Sequence, residues 1–143
     1  SVTSSGSTIT LNDDITTGGT TKDLTISANG ALSFASNADA LTASGVLTVT
    51  ASGATSGAAT LTSTGNMAMT LGDKWAATSG TLALVSGGTL NLNGKLETAT
   101  TGDVGLAITG TCTLADAKTL TSVGTATVSC ASTTAVGYTI SAA

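Results

Sequence analysis

L-T-I-S-A-N-G (Leu24–Gly30), L-T-V-T-A-S-G (Leu47–Gly53), M-T-L-G-D-K (Met69–Lys74), L-N-L-N-G-K (Leu90–Lys95) and C-T-L-A-D-A-K (Cys112–Lys118) are variants of one phrase. Each sets two apolar or sulfur-bearing residues on either side of a Thr or Asn, ahead of a small polar turn. I-T-L-N-D-D (Ile9–Asp14) opens the series. From Leu24 onward the copies begin about every 22 residues. A fixed period in this range marks a coiled architecture made of one repeated supersecondary unit.

Within each copy the apolar residues occupy every second position, as in Leu24/Ile26, Leu47/Val49, Met69/Leu71 and Leu90/Leu92. A second series, Leu82/Leu84, Val104/Leu106/Ile108 and Ala126/Val128/Cys130, follows the same spacing. Period two is the signature of a strand with one buried face. Helix is disfavoured, because Thr, Ser and Gly are weak helix formers. The chain therefore reads as all-β: a single domain over residues 1–143, folded as a β-solenoid (parallel β-helix) of roughly six coils of about 22 residues. At the stacking distance of parallel strands the rod is about 30 Å long. One late coil runs from Leu90 to Thr111, with strands at Leu90–Leu92 and Val104–Ile108 and a short corner around Leu96. The run S-G-A-T-S-G-A-A (Ser52–Ala59) reads as a bulging loop. A pilin-like antiparallel β-sandwich is the alternative fold. It explains the alternation but not the recurring phrase.

Composition narrows the function. Thr (32), Ala (23), Gly (18) and Ser (17) make up well over half of the 143 residues, a bias that often means disorder. Positive mean hydropathy and only 8% charged residues oppose disorder here. Abundant Ala suits a thin core that admits no large rings. A net charge of −4 with four basic residues, all Lys, makes nucleic acid a poor partner. No run of about eighteen apolar residues offers a membrane-spanning helix. Ser1 in place of Met reads as a mature secreted product whose leader has been removed, which points to an extracellular or cell-surface location.

Candidate sites are few. Without His there is no Ser-His-Asp or Cys-His unit, so the chain does not read as an enzyme. The acids Asp13, Asp14, Asp23, Asp39, Asp73, Glu97, Asp103 and Asp116 are scattered through turn phrases, where such side chains cap their own backbone. Asp13–Asp14 reads as a solvated turn rather than a Ca²⁺ site. Asp73 beside Lys74, and Glu97 near Lys95, read as surface ion pairs. No metal or other cofactor is assigned. Cys112 and Cys130 occupy inward positions that match Leu90 and Ile108 one coil earlier. They fall on different walls of one coil and form a candidate disulfide. Trp75, directly after a turn, reads as a corner cap or core residue, with a subunit contact as the weaker option.

Thr-x-Thr pairs, such as Thr48/Thr50 and Thr125/Thr127, resemble the outward ranks of insect-type ice-binding solenoids. In the 22-residue register one face presents Thr25/Ser27, Thr48/Thr50, Thr70/Gly72 and Asn91/Asn93. The other presents Thr81/Ala83, Gly105/Ala107 and Thr125/Thr127. Both are interrupted, and Thr also simply suits the wet side of a sheet.

The ends remain. A solenoid's first and last coils expose unpaired backbone groups that invite another chain, and soluble solenoids blunt them with charge or Pro. Here Pro is absent and both termini carry strand phrases. The candidate interface is Thr8, Ile9, Thr10 and Leu11 at one end and Tyr138, Thr139, Ile140 and Ser141 at the other. The expected partner is a second copy of the chain, added head to tail into a filament. The phrases G-T-L-N-L-N-G-K-L (Gly88–Leu96) and A-L-T-A-S-G-V-L-T-V-T-A-S-G (Ala40–Gly53) give the chain a texture that resembles secreted bacterial β-solenoid adhesins such as filamentous haemagglutinin. That resemblance implies a structural or adhesive role at the cell surface and carries over no catalytic residue. The chain is far shorter than such adhesins and reads as the subunit of a pilus-like fibre. Ice binding and a carbohydrate-binding adhesin module are the alternatives.

Overall fold

The computed structural model describes residues 1–35, 39–115, 118–135 and 137–142, with only the backbone described for Asp39 and Ala135. The described chain is all strand, turn and loop, coiled as a β-solenoid of about six turns. Coil one holds β1 (Val2–Ser4), β2 (Ile9–Leu11) and β3 (Ile15–Thr16). Coil two holds β4 (Leu24–Ala28), β5 (Leu32–Phe34) and β6 (Asp39–Ala43), and coil three β7 (Leu47–Ala51), β8 (Thr55–Ser56) and β9 (Ala59–Ser63). Then the strands run through corners. β10 (Met67–Ala77) precedes β11 (Leu82–Ser86), and β12 (Leu90–Thr98) precedes β13 (Val104–Leu114), which crosses into coil six. β14 (Thr119–Ser122) and β15 (Ala126–Ala135) complete that coil, and β16 (Thr139–Ala142) closes a final part-turn.

Every strand pairing is parallel, and the pairs stack into three walls. The first wall carries the recurring phrase, with Leu24, Leu47, Met67, Leu90 and Cys112 stacked in one inward column. The third wall carries Leu41, Leu61, Leu84, Leu106 and Val128. Between them stands a second wall, which takes in the expected corner at Leu96 and also Ile9–Leu11, expected as the opening copy of the recurring phrase. Its inward column is Ile9, Leu32, Thr55, Trp75, Leu96, Leu120 and Ile140. Leu96 is thus a fully buried wall residue and not a corner.

Ser52–Ala59 also differs from the expected loop. Thr55–Ser56 pair on both sides, with Leu32–Ser33 below and Trp75–Ala76 above. The small residues there have a packing reason. Phe34 of coil two and Trp75 of coil four meet across this coil with ring centroids 5.5 Å apart, and the Trp75 indole N–H donates to the Gly57 carbonyl at 2.7 Å. Gly57 has φ of 90°, and a Cβ on it would collide with the Phe34 carbonyl. The core therefore does admit rings, because one coil is hollowed out to hold them. Trp75 is 0% exposed, which removes it as a subunit contact.

At the corner between the third and first walls, coils are joined by a backbone ladder. Gly45, Gly65, Gly88 and Gly110 donate in turn to the carbonyls of Lys22, Gly45, Gly65 and Gly88 at 2.9–3.0 Å. Buried hydroxyls near the corners are also partnered. Ser86 donates to the Gly65 carbonyl at 2.8 Å, and Ser122 donates to Gly102 at 3.0 Å. A solenoid has no sheet edge along its length, so its backbone polar groups are satisfied from coil to coil.

Candidate functional site

Three features could carry function: the two open ends, the outward faces of the walls, and the cysteine pair. At the first end, among the described residues, β1, β2 and β3 each pair on one side only. Ile9 and Leu11 of β2 are 8% and 7% exposed, with Thr8 and Thr10 turned outward. Val2 and Ile15 pack partly against the core. At the other end, β16 pairs only with β14 among the described residues. Thr139, Ile140 and Ser141 are exposed, and Ile140, the last member of the second wall's inward column, is 46% exposed. Val128 and Cys130 are partly covered. At both ends the outermost described strands leave one edge unpaired and their inward columns carry no further described coil. Tyr138 behaves differently from its neighbours. It is partly buried against its own core, and its hydroxyl lies 3.4 Å from the carbonyls of Gly94 and Thr119. Burial pushes its pKa up to about 12.

Among the described residues, charge lies at the corners and on the second wall, apart from Asp39. The first wall carries no charged residue among the described ones, and the third carries only Asp39, at its first position. The outward register of the first wall also departs from expectation. Coil four presents Ala68 and Thr70, not Thr70 and Gly72, because Ala68 pairs with Thr48 and Thr70 with Thr50. The outward columns are then Thr25, Thr48, Ala68, Asn91, Thr113 and Thr134, and beside them Ser27, Thr50, Thr70 and Asn93. The third wall presents Thr16, Thr42, Thr62, Val85, Ala107 and Ser129. Thr81 and Thr125 lie ahead of its strands, in the corners.

The carboxylates are structural in a way that sequence reading missed. Asp23 Oδ1 accepts the N–H of Val46 at 2.8 Å, and Asp103 Oδ1 accepts that of Thr125 at 2.7 Å. Asn66 plays the same part toward Thr89 at 3.0 Å, and Asp14 toward Ala40 at 2.7 Å. They cap the next coil and not their own turn; Asp13, which accepts the Asp14 N–H at 2.9 Å, is the local case. Lys74 pairs with Glu97 of the neighbouring coil at 3.0 Å, in place of the expected neighbours in sequence. Asp116 lies outside the described residues.

Cys112 and Cys130 are joined in a disulfide with Cα atoms 5.9 Å apart. Cys112 stacks on Leu90 and Cys130 on Ile108, the two inward positions read from the register. The bond ties the first wall of coil six to its third wall. No protein-family model matches this chain, and no curated protein or solved structure matches it either.

Proposed function

We propose that this chain is a structural, extracellular β-solenoid that adds head to tail to further copies of itself, building a rod or pilus-like fibre. The observation that carries this reading is the pair of uncovered ends. At each end the strands keep a free hydrogen-bonding edge, and inward columns stop at partly exposed apolar residues: Val2 and Ile15 at one, Val128 and Ile140 at the other. An uncovered edge of this kind is a template for another strand. Pairing end on end satisfies the backbone groups and continues the dry core in one step. A contact between two different ends, stacked along the rod axis, does not close into a ring, so it propagates. The disulfide supports an oxidising compartment. The reading assigns the chain no catalysis, cofactor or nucleic-acid partner.

Negative-stain electron microscopy of the purified chain near neutral pH tests it. Uniform filaments are expected, together with their loss on deleting residues 138–143 or on the single change Ile140→Lys. Discrete single rods at every concentration would overturn the reading.

Ice binding is the second reading, favoured by the corrected first-wall register. Two parallel columns of mostly Thr, Ser and Asn stand on a wall without charge among its described residues, spaced about 4.8 Å between coils and about 6.6 Å along each strand. Inhibition of ice recrystallisation that is lost in Thr48→Lys would support it. The carbohydrate-groove alternative needed an exposed Trp75, and the buried indole offers no stacking face.

A further inference from the structure

We infer that the Cys112–Cys130 disulfide is a redox lock on the pairing edge at the β16 end. The inference rests on the head-to-tail reading, because the strands it controls are the ones that dock. The bond lies across the corner between the first and third walls and closes coil six into a covalent ring, its cysteines 18 residues apart. The final part-turn stands directly on that ring. Thr133 stacks on Cys112, and the chain leaves Cys130 through Ala131 to form the last first-wall strand.

The ring stands where apolar support thins. In coil five Leu90, Leu92, Leu96, Val104, Leu106 and Ile108 are all 4% exposed or less. In coil six the third wall offers only Ala126, Val128 and Cys130, all partly exposed, and β16 above is exposed throughout. Less buried apolar area means weaker retention of a terminal coil. A covalent closure supplies what packing there does not.

The bond can be reached. Cys112 is 0% exposed, whereas Cys130 is partly open. A thiolate of a small dithiol attacks the Cys130 sulfur. The disulfide breaks, and Cys112 leaves as a thiolate and takes up a proton. The second thiol of the reagent, as its thiolate, then displaces Cys130, which is protonated in turn. Two electrons pass to the protein and the reagent becomes its cyclic disulfide. Once open, the third wall of coil six and the part-turn lose their fixed separation and fray, taking the edge with them.

The test compares oxidised protein, protein reduced with dithiothreitol, and the double variant Cys112→Ala/Cys130→Ala. Hydrogen exchange and electron microscopy are read on each. Reduction is expected to speed exchange about tenfold or more across 126–135 and 139–142, with 24–98 unchanged. Filaments are expected only in the oxidised sample, and the double variant should match the reduced protein. A bond that dithiothreitol leaves intact in the folded protein, equal exchange in both forms, or filaments that persist after reduction would each overturn the lock. Loss of protection without filaments in the oxidised sample would instead overturn the head-to-tail reading, leaving the lock a device of the fold alone.

Discussion

Thr55 is the one polar residue in the second wall's inward column from Ile9 to Ile140. It sits between Leu32 and Trp75, is 1% exposed, and its hydroxyl has no hydrogen-bond partner. A buried, unpaired hydroxyl costs free energy that an isosteric methyl does not. Thr55→Val is therefore expected to stabilise the chain by about 1 kcal/mol, raising Tm by about 3 °C in a thermal melt. Thr98 is the control. Its hydroxyl donates to the Gly102 carbonyl at 3.1 Å and accepts the Val123 N–H at 3.0 Å. Thr98→Val should destabilise by about 1–3 kcal/mol, and equal responses at the two sites would refute the distinction. Tyr138 makes a pH prediction. Its folded pKa of about 12 lies above the ordinary 10.0 because burial disfavours the phenolate. A group whose pKa rises on folding contributes stability that is complete below its unfolded pKa and disappears as pH climbs through the folded one. Stability should hold up to about pH 10 and fall between about 10 and 12. The readout is the difference in urea midpoint between wild type and Tyr138→Phe. That difference should shift in favour of the Phe variant as pH rises through this window, and a flat difference would contradict the assignment.

Between elements, the recurring device is an Asx side chain that reaches up one coil. Asp23, Asn66 and Asp103 each stand directly before a strand, and each caps an N–H just before the strand stacked above. The capped residue always follows a glycine: Gly45, Gly88 and Gly124. A Cβ there would strike the capping oxygen. The residues of this motif were visible in the sequence as Asx before a strand and Gly two places before the next. Their connection was not, because a turn read in isolation offers its side chain only its own backbone. The same limit explains Lys74–Glu97, a pair made by stacking and not by proximity in sequence. Asp103→Ala should leave the Thr125 N–H without its protein acceptor and cost about 1–2 kcal/mol. Asp103→Asn keeps an acceptor oxygen and should recover most of it, as Asn66 does in its own coil. If urea denaturation finds the two substitutions equal, the carboxylate is not acting as a cap.

For the whole molecule, the period was legible because two walls repeat an apolar alternation strong enough to survive single-residue changes. Strict stacking then fixed the disulfide, since Cys112 and Cys130 simply replace Leu90 and Ile108. The second wall was hidden because its strands are short and its inward column runs from Leu through Thr to Trp, a series with no common phrase. Coil geometry also gives the head-to-tail reading its most discriminating consequence. Strands lie across the rod, so coils stacked end on end repeat the parallel-strand spacing along the fibre axis. Fibre diffraction from aligned filaments should then show a meridional reflection near 4.8 Å. A subunit of about six coils adds an axial repeat of roughly 30 Å. Rods associating through their first or third walls would lie crosswise in the fibre and move the 4.8 Å reflection to the equator. The two outcomes separate end pairing from wall pairing without a variant. Salt provides an independent check. In the proposed head-to-tail contact, apolar columns and backbone edges would meet with little charge, so raising ionic strength from 0.05 to 0.5 M, which shortens the screening length to a few ångströms, should leave filament mass unchanged. Filaments that dissolve with salt would mean that the corner charges, and not the uncovered core, hold the subunits together.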